Sequence, residues 1–292
     1  MSQTLNQRRF NMTPWLFLLP AMLMFAVYVL YPIIQSISLS FYEWDGLGEK
    51  TWVGWNNYIE LFDDDNFWTS LKNNIIWLVF FMLAPVIGLA IALFLNQEVA
   101  GVRLAKSLFF FPFVISQVVV GLVFAWFYDP GFGLMGHLMG FVGIEPFSLL
   151  GEENTVTFAI IAAGLWPQIA YCMILYLTGL NSLNPEQIEA ARLDNASGFK
   201  MLWYVILPQL RPATFIAIVV TVIGALRSFD LIAIMTDGGP YGSSSVLAYF
   251  MYEQSINNFR MGYGAAIATV LFMIMNIYIA FFLWRMLKSE ER

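Results

Sequence analysis

The sequence predicts an all-α membrane protein with six transmembrane helices, and three observations carry that prediction. Of the 292 residues, 59% are hydrophobic and only 12% are charged, whereas an average soluble chain has about 25% charged residues. Long uncharged stretches recur along the chain, and a spanning helix needs about 20 apolar residues. The charged residues gather between these stretches. This composition argues against a soluble enzyme.

Six spans follow from these stretches. Five contain no charged residue over at least their central part, and the fifth in chain order is interrupted by Arg227 and Asp230. We place the spans at about 15–40, 73–97, 107–128, 155–180, 212–235 and 262–286. The first span is too long for a signal-peptide core, so we expect it to remain in the mature protein.

Both termini are predicted to be cytoplasmic. Six spans put the termini on one side, and cytoplasmic loops carry the excess of Lys and Arg. Ten basic residues lie on the side of the termini, namely Arg8, Arg9, Arg103, Lys106, Arg192, Lys200, Arg211, Arg285, Lys288 and Arg292. Only three lie on the other side, Lys50, Lys72 and Arg260. The opposite loops hold most of the acidic residues.

Prolines occur within spans or at their ends, and they predict local breaks or kinks in a packed bundle. They are Pro20, Pro32, Pro85, Pro112 and Pro167. Neighbouring helices can satisfy the carbonyl groups that a proline leaves free. Membrane helices also tolerate proline without any functional consequence, and both interpretations stay open.

Several kinds of chemistry are not expected. The net charge of −6 lacks the basic surface that binding of a nucleic acid requires. One cysteine, Cys172, and one histidine, His137, are too few ligands for a structural zinc site. The chain has no G-x-x-x-x-G-K-[ST] phosphate loop, so we expect it to bind no nucleotide cofactor of its own.

The longest cytoplasmic loop, 181–211, predicts two short helices. Asn184 can cap the first, Pro185 suits its first position, and Gln187 would complete a capping box, so this helix should reach about Leu193. On physical grounds alone, an amphipathic helix at the membrane interface is the simplest interpretation.

The second half of this loop should begin with a reversal of the chain. Asn195 tolerates the left-handed conformation better than most residues, which makes it the expected turning point. Ser197 would cap the second helix and Pro208 would end it. The first helix presents small residues beside one carboxylate, a surface that another backbone could approach closely.

This loop resembles the EAA loop of permease subunits in binding-protein-dependent ABC importers. The matching residues are Glu189, Ala190, Ala191, Asp194, Ala196, Val205, Leu207 and Pro208. Asn195 stands where the family usually has glycine, and Leu202 where an aromatic residue is frequent. The segments LLPAMLMFAVYVLYPIIQSISLSFYEWDG and SFDLIAIMTDGGP look like the MalF-like permeases of the carbohydrate branch.

The resemblance implies a type I (MetI-like) ABC importer permease core, formed by a single domain over 1–292 in the bacterial inner membrane. It also implies a MalG-like second permease, two ATPase subunits that bind ATP and Mg²⁺, an extracytoplasmic solute-binding protein, and a sugar-type solute. The residues expected to couple the permease to the ATPase are Glu189, Ala190, Ala191, Asp194 and Asn195.

A sugar site needs aromatic faces and hydrogen-bonding groups near the middle of the membrane. Alignment to the family's substrate-contact stretches points to Phe113, Gln117, Trp166, Gln168, Tyr171, Arg227 and Ser228. Gln168 and Tyr171 are three residues apart, which would place them on one side of a helix beside a local break at Pro167. Without the resemblance, packing roles for the aromatic residues are the simpler interpretation.

Arg227 and Asp230 allow two interpretations. Their three-residue spacing would let them neutralise each other within one helix, which we favour. Alternatively, Arg227 faces the pathway and binds a hydroxyl or an anionic group, in which case the solute is an acidic or sulfonated sugar or a glycerol phosphate. An ion-coupled secondary transporter or a membrane-embedded enzyme would need further buried ionisable groups, and the EAA loop argues against both.

Overall fold

The computed structural model describes residues 13–97 and 101–290, and nearly all secondary structure in this part of the chain is helical. Arg8, Arg9 and Arg292, which the topology prediction counts, lie outside it. Four helical segments are long and apolar enough to cross a membrane, and two bent helix pairs raise the number to six if each pair is one span. The predicted all-α, six-span fold is confirmed, with changes inside individual spans.

The first span consists of helix α1 (Thr13–Phe25), a π-helical turn (Ala26–Leu30) and helix α2 (Tyr31–Leu39). Pro20 lies inside α1 without ending it. The wide turn comes just before Pro32, which lacks the N–H that an α-helix would need there. The apolar part of this span buries none of its residues, so it offers its surface to lipid or to another chain.

A short β-hairpin and a helix follow the first span. Strand β1 (Tyr42–Glu43) pairs antiparallel with β2 (Thr51–Trp52), which corrects the all-α prediction to this small extent. Helix α3 (Asn56–Asp63) comes next. Asn57 Nδ2 donates to the Tyr42 carbonyl at 2.9 Å, and this hydrogen bond fastens the helix to the hairpin.

The second span is formed by helices α4 (Asp65–Phe81) and α5 (Leu83–Leu95). It begins earlier than the predicted 73–97 because Asp64 caps α4, accepting the Asn66 N–H at 2.8 Å. Polar residues in the first turns of α4 therefore belong to the helix and not to a preceding loop.

The third span is broken, which corrects the continuous span predicted over 107–128. Helix α6 (Val102–Val114) and helix α7 (Gln117–Phe127) meet at an angle of 99°. Pro112 removes a hydrogen bond from the last turn of α6. Ser116 is extended and its hydroxyl accepts an N–H in the first turn of α7, so the chain starts a new helix in a new direction.

A short helix, α8 (Leu134–Phe141), leads to the fourth span, the single helix α9 (Val156–Asn181). The predicted break at Pro167 is wrong, since α9 is continuous through it. Gly88 of the second span lies very close to α9, because a Cβ built on Gly88 would be 2.8 Å from the Met173 nitrogen. The small residue is thus required for the two helices to pack.

The segment after the fourth span contains helices α10 (Pro185–Leu193) and α11 (Gly198–Met201). A π-helical turn (Leu202–Ile206) and helix α12 (Leu207–Gln209) continue the second of these. Pro208 was expected to end this helix, but it lies in the first turn of α12, where its missing N–H has no cost.

The fifth span turns by 73° from this segment into helix α13 (Arg211–Leu226). Helix α14 (Asp230–Met235) starts after a break at residues 227–229. The continuous helix that we expected between 212 and 235 is therefore corrected to two helices separated by three non-helical residues.

The chain ends with helix α15 (Leu247–Tyr252), a π-helical turn (Glu253–Asn257) and the sixth span, α16 (Met261–Glu290). Helix α9 is central, because it packs against α4, α5, α6, α7, α13 and α14. Two buried apolar clusters lie along it, one around Trp77 and the other around Tyr176. The broken third and fifth spans both reach this central helix.

Candidate functional site

A cavity of about 340 Å³ lies where the broken third and fifth spans meet the central helix α9. Its wall combines aromatic rings with amides, a hydroxyl and two charged groups. The polar members are Gln117, Gln168, Arg227, Ser228 and Asp230, and the aromatic members are Trp77, Phe81 and Phe229. We call this space the polar cavity. Four of the predicted solute residues, Gln117, Gln168, Arg227 and Ser228, line it together.

Gln168 is oriented by a residue on the neighbouring helix. Its Nε2 donates to the Thr221 hydroxyl of α13 at 2.9 Å, and Thr221 is completely buried. The Oε1 atom lies 3.5 Å from the position that a Cβ on Gly224 would occupy, and Gly224 also lines the polar cavity. The amide nitrogen is therefore engaged, and the amide oxygen remains as an acceptor beside Gly224.

The break after α13 places Arg227 and Ser228 at the polar cavity. The Arg227 N–H still donates to the Ile223 carbonyl at 3.0 Å, but Arg227 has left the helical conformation, with φ −99° and ψ 8°. The Ser228 hydroxyl donates to the Gly224 carbonyl at 3.1 Å. These bonds satisfy backbone groups at the end of α13 and fix the loop at the cavity wall.

Arg227 and Asp230 do not form the ion pair that we favoured from the sequence. Within the part of the chain that the structure describes, the ion pairs are limited to Arg260 with Glu60. The physical reason is the helix break, since residues three apart are neighbours only within a continuous helix. Both side chains are exposed at the polar cavity.

The predicted aromatic residues lie outside the wall of the polar cavity. Phe113 of α6 stacks on Tyr171 of α9 with ring centroids 5.0 Å apart and planes inclined by 14°. Trp166 lines a separate apolar cavity of about 450 Å³ between α5, α6 and α9. The structure thus divides the predicted set into polar residues that line the polar cavity and aromatic residues that lie outside its wall.

The aromatic residues that line the polar cavity were not among those predicted from the sequence. Trp77 and Phe81 of α4 both approach Gly164 of α9, where an added Cβ would lie 3.3 and 3.0 Å from their rings. In a chain with 10 Trp and 27 Phe, no pattern separates these two from packing residues. Thr221 was also missed, although a hydroxyl inside a span is a usable signal of a polar contact.

A second polar region lies at the end of the fifth span, outside the membrane-spanning segments. Asp237 has a φ of 50° and accepts a hydrogen bond of 2.8 Å from the Tyr249 hydroxyl. Partial burial and the nearby Asp237 and Asp64 carboxylates raise the pKa of Glu253 above its ordinary value. This region joins the turn after α14 to helix α15.

The predicted coupling helix forms with the expected boundaries. Asn184 caps α10, accepting the Glu186 N–H at 2.9 Å. The expected capping box with Gln187 is corrected, because the Asn184 N–H donates to Gln209 Oε1 at 2.9 Å instead. This second bond ties the start of α10 to the end of α12, so α10 is attached directly to the base of the fifth span.

The end of α10 forms a complete Schellman motif. Asn195 adopts the left-handed conformation with φ 57°, as we expected for the reversal. The Ala196 N–H donates to the Ala191 carbonyl at 2.9 Å, and the Asn195 N–H donates to the Arg192 carbonyl at 3.1 Å. Asn195 therefore performs the role that glycine usually has at this position.

The surface of α10 is open to a partner. Glu189, Ala190, Asp194 and Asn195 are exposed and Ala191 is half-buried. Leu193 at the end of the helix is 86% exposed. The small residues beside Glu189 leave room for the close approach of another chain.

Comparison with known proteins gives consistent matches. The family model described as binding-protein-dependent transport system inner membrane component matches residues 84–290. A probable ABC transporter permease of Pyrococcus horikoshii is 34% identical over 95% of this chain and 96% of the relative. The multiple sugar-binding transport system permease MsmF of Streptococcus mutans is 32% identical over 90% of this chain and 91% of the relative.

The fold is also similar to that of a solved structure. A chain of a bacterial ABC transporter involved in the import of the acidic polysaccharide alginate superimposes with a TM-score of 0.82. The alignment covers 94% of both chains at 19% identity. This similarity concerns the fold.

Proposed function

Because the chain belongs to the family of binding-protein-dependent transport system inner membrane components, we propose that it forms half of the pathway of an ABC importer for a sugar or sugar derivative. The chain is a multi-pass membrane permease. The observation that carries the proposal is the polar cavity, where two broken spans bring Gln117, Gln168, Arg227 and Ser228 together inside an apolar bundle. Such groups are suited to the hydroxyls of a sugar.

The aromatic residues Phe113, Trp166 and Tyr171 are proposed to act at a second stage of the same pathway. Phe113 of α6 stacks on Tyr171 of α9, and Trp166 of α9 lines the apolar cavity between α5, α6 and α9. An assembled importer would enclose this side of α9 between two permeases. Stacking on these rings would then guide a sugar that leaves the polar cavity.

ATP hydrolysis is assigned to partner subunits, which would bind ATP and Mg²⁺ themselves. We propose that Glu189, Ala190, Ala191, Asp194 and Asn195 dock into those ATPases. The hydrogen bond from Asn184 to Gln209 would pass a displacement of α10 to the base of α13, whose opposite end lines the polar cavity. The nucleotide would supply the difference in stability between two states of the permease.

The remaining partners are a MalG-like second permease, two ATPase subunits and an extracytoplasmic solute-binding protein. The unburied first span supports the second permease or lipid as its neighbour. The hairpin and α3 would face the binding protein if both termini are cytoplasmic, as the charge distribution predicts. We place the chain in the bacterial cytoplasmic membrane as a single permease domain.

Measurement of solute-stimulated ATP hydrolysis tests this function. The chain, its second permease, the ATPases and the binding protein would be reconstituted together and screened with neutral disaccharides, acidic or sulfonated sugars and glycerol phosphates. Stimulation by a sugar or sugar derivative is the expected result. An importer that responds to none of them, but responds to amino acids or metal ions, would refute the assignment.

A further inference from the structure

From the sequence we expected Asp230 to form an ion pair with Arg227. In the structure this ion pair is not formed, so the Asp230 carboxylate can interact with another group. Asp230 begins helix α14 after the non-helical residues 227–229 and lies exposed in the wall of the polar cavity. Within the described residues, no cation lies within 4 Å of its carboxylate. The carboxylate of Asp230 is therefore an available acceptor.

An ionised side chain in the middle of a membrane protein is costly unless it pairs or faces water. Arg227 and Asp230 do not pair, yet both open onto the same cavity of about 340 Å³. If the two residues served only to form an ion pair, a continuous helix would be the simplest arrangement, because it would hold them side by side. The helix break separates the two residues and exposes both charges to a solute that enters the polar cavity.

The positive charge of Arg227 and the negative charge of Asp230 give the lining of the polar cavity no net charge. Among the described residues that line it, Arg227 is the one cation and Asp230 the one anion. A guanidinium donates up to five hydrogen bonds and a carboxylate only accepts them. Neighbouring hydroxyls of a sugar both donate and accept, so they can bind to both groups and to the Gln117 and Gln168 amides.

An anionic solute would meet a different balance. Its attraction to Arg227 is opposed by its repulsion from Asp230. The protein would also have to compensate the lost hydration of that anion. A neutral solute with several hydroxyl groups has neither cost.

Resting on the proposed function of the polar cavity, we propose that Asp230 is a charge-selecting residue of the pathway. Its carboxylate cancels the field of Arg227 and accepts hydrogen bonds from solute hydroxyls. The cavity then admits neutral polyhydroxylated solutes and discriminates against anionic ones. This assigns to Asp230 a function in specificity beyond that of the residues singled out from the sequence.

The test measures the electrostatic field of the cavity without any solute. Cys172, the one cysteine of the chain, is replaced by serine and Ser228 is replaced by cysteine. The assembled complex in lipid nanodiscs is then reacted with anionic sulfonatoethyl and cationic trimethylammonium-ethyl methanethiosulfonates. We expect Asp230→Asn to raise the ratio of anionic to cationic rates by roughly tenfold, and Arg227→Gln to lower it by a similar factor.

The matched control is Glu153→Gln, which removes an exposed carboxylate outside the polar cavity and should leave the ratio unchanged. Asp230→Ser provides a second neutral variant if Asp230→Asn gives too little folded complex, and it should shift the ratio equally. A ratio that stays the same in both neutral variants would overturn the proposal. Because labelling requires neither ATP turnover nor solute, a failure of the importer assignment would appear only in the ATPase assay.

Discussion

The amide of Gln168 donates a hydrogen bond to the hydroxyl of Thr221 at 2.9 Å, and this contact joins helix α9 to helix α13 beside the polar cavity. Thr221 is completely buried, so no water competes for its hydroxyl. The bond fixes which face of the amide is turned toward the cavity. A buried residue outside the cavity wall therefore sets the orientation of one of the groups that line the cavity.

Removal of the Thr221 hydroxyl should weaken solute recognition. In Thr221→Val, the Gln168 amide loses its partner and is free to rotate. The solute concentration that gives half-maximal ATPase stimulation should rise about fivefold, which corresponds to ~1 kcal/mol for one hydrogen bond. Thr221→Ser keeps the hydroxyl and should behave like the original protein. An equal response of the two variants would show that the Gln168–Thr221 hydrogen bond has no role in solute recognition.

A change of charge on helix α10 should abolish solute-stimulated ATP hydrolysis while the protein stays in the membrane. Glu189 is exposed in the middle of α10, so Glu189→Lys should not reduce the amount of protein in the membrane. Docking into the ATPase should fail, and solute-stimulated hydrolysis should fall at least about tenfold. Gln187→Lys introduces a lysine on another face of the helix, with a smaller change of charge, and serves as the control for the lysine side chain. Full stimulation in Glu189→Lys would contradict the docking role.

The reversal at Asn195 should depend on the left-handed conformation. With φ at 57°, replacement by alanine should cost about 1 kcal/mol, whereas glycine adopts this conformation freely. Asn195→Ala should therefore lower ATPase coupling and Asn195→Gly should preserve it. The comparison of the two variants in the reconstituted complex checks this, and better coupling in the alanine variant would show that the turn has no such role.

Protonation of Glu253 should stabilise the region around α15. Its pKa is raised in the folded protein, so its contribution to stability is present below the unfolded value of about 4.5 and is lost as the pH rises through the folded value. At pH 7, Glu253→Gln should raise the thermal midpoint by roughly 1–2 °C, a small effect because partial exposure screens the charge. The exposed Glu152→Gln is the control.

The gain from Glu253→Gln should also shrink as the pH falls toward 4.5, because the native carboxyl then carries its proton. Thermal unfolding of the detergent-solubilised complex at several pH values measures this. A midpoint difference that grows on acidification would mean that the ionised carboxylate stabilises the fold.

The sequence predicted the spans well where one physical constraint dominates. A helix must be apolar over the thickness of the hydrocarbon layer, and α9 accordingly extends from Val156 to Asn181 against a predicted 155–180. The boundaries of α10 and the turn at Asn195 could also be predicted from the sequence, since capping and left-handed geometry are local properties.

The helix breaks were not predictable in the same way. Pro167 lies inside a continuous helix, whereas the chain bends by 99° just after Pro112. The difference arises from tertiary contacts and from the extended Ser116, which no local pattern reveals. The separation of Arg227 from Asp230 follows from a break of the same kind, and the involvement of Trp77 depends on which helices meet around the cavity.

The central claim is that the polar cavity carries the solute, and a substitution that fills it tests this most directly. Gly224 lines the cavity, and a Cβ there would touch only Gln168 Oε1 at 3.5 Å. Gly140 of α8 has no atom within 4 Å of a built Cβ, so Gly140→Phe is the control for bulk alone.

The measurement is uptake of the stimulating sugar by proteoliposomes that contain the complete importer. We predict that Gly224→Phe assembles with its partners but reduces uptake at least about tenfold by occupying the cavity, while Gly140→Phe transports normally. Undiminished uptake by an assembled Gly224→Phe complex would show that the solute crosses the membrane by another route.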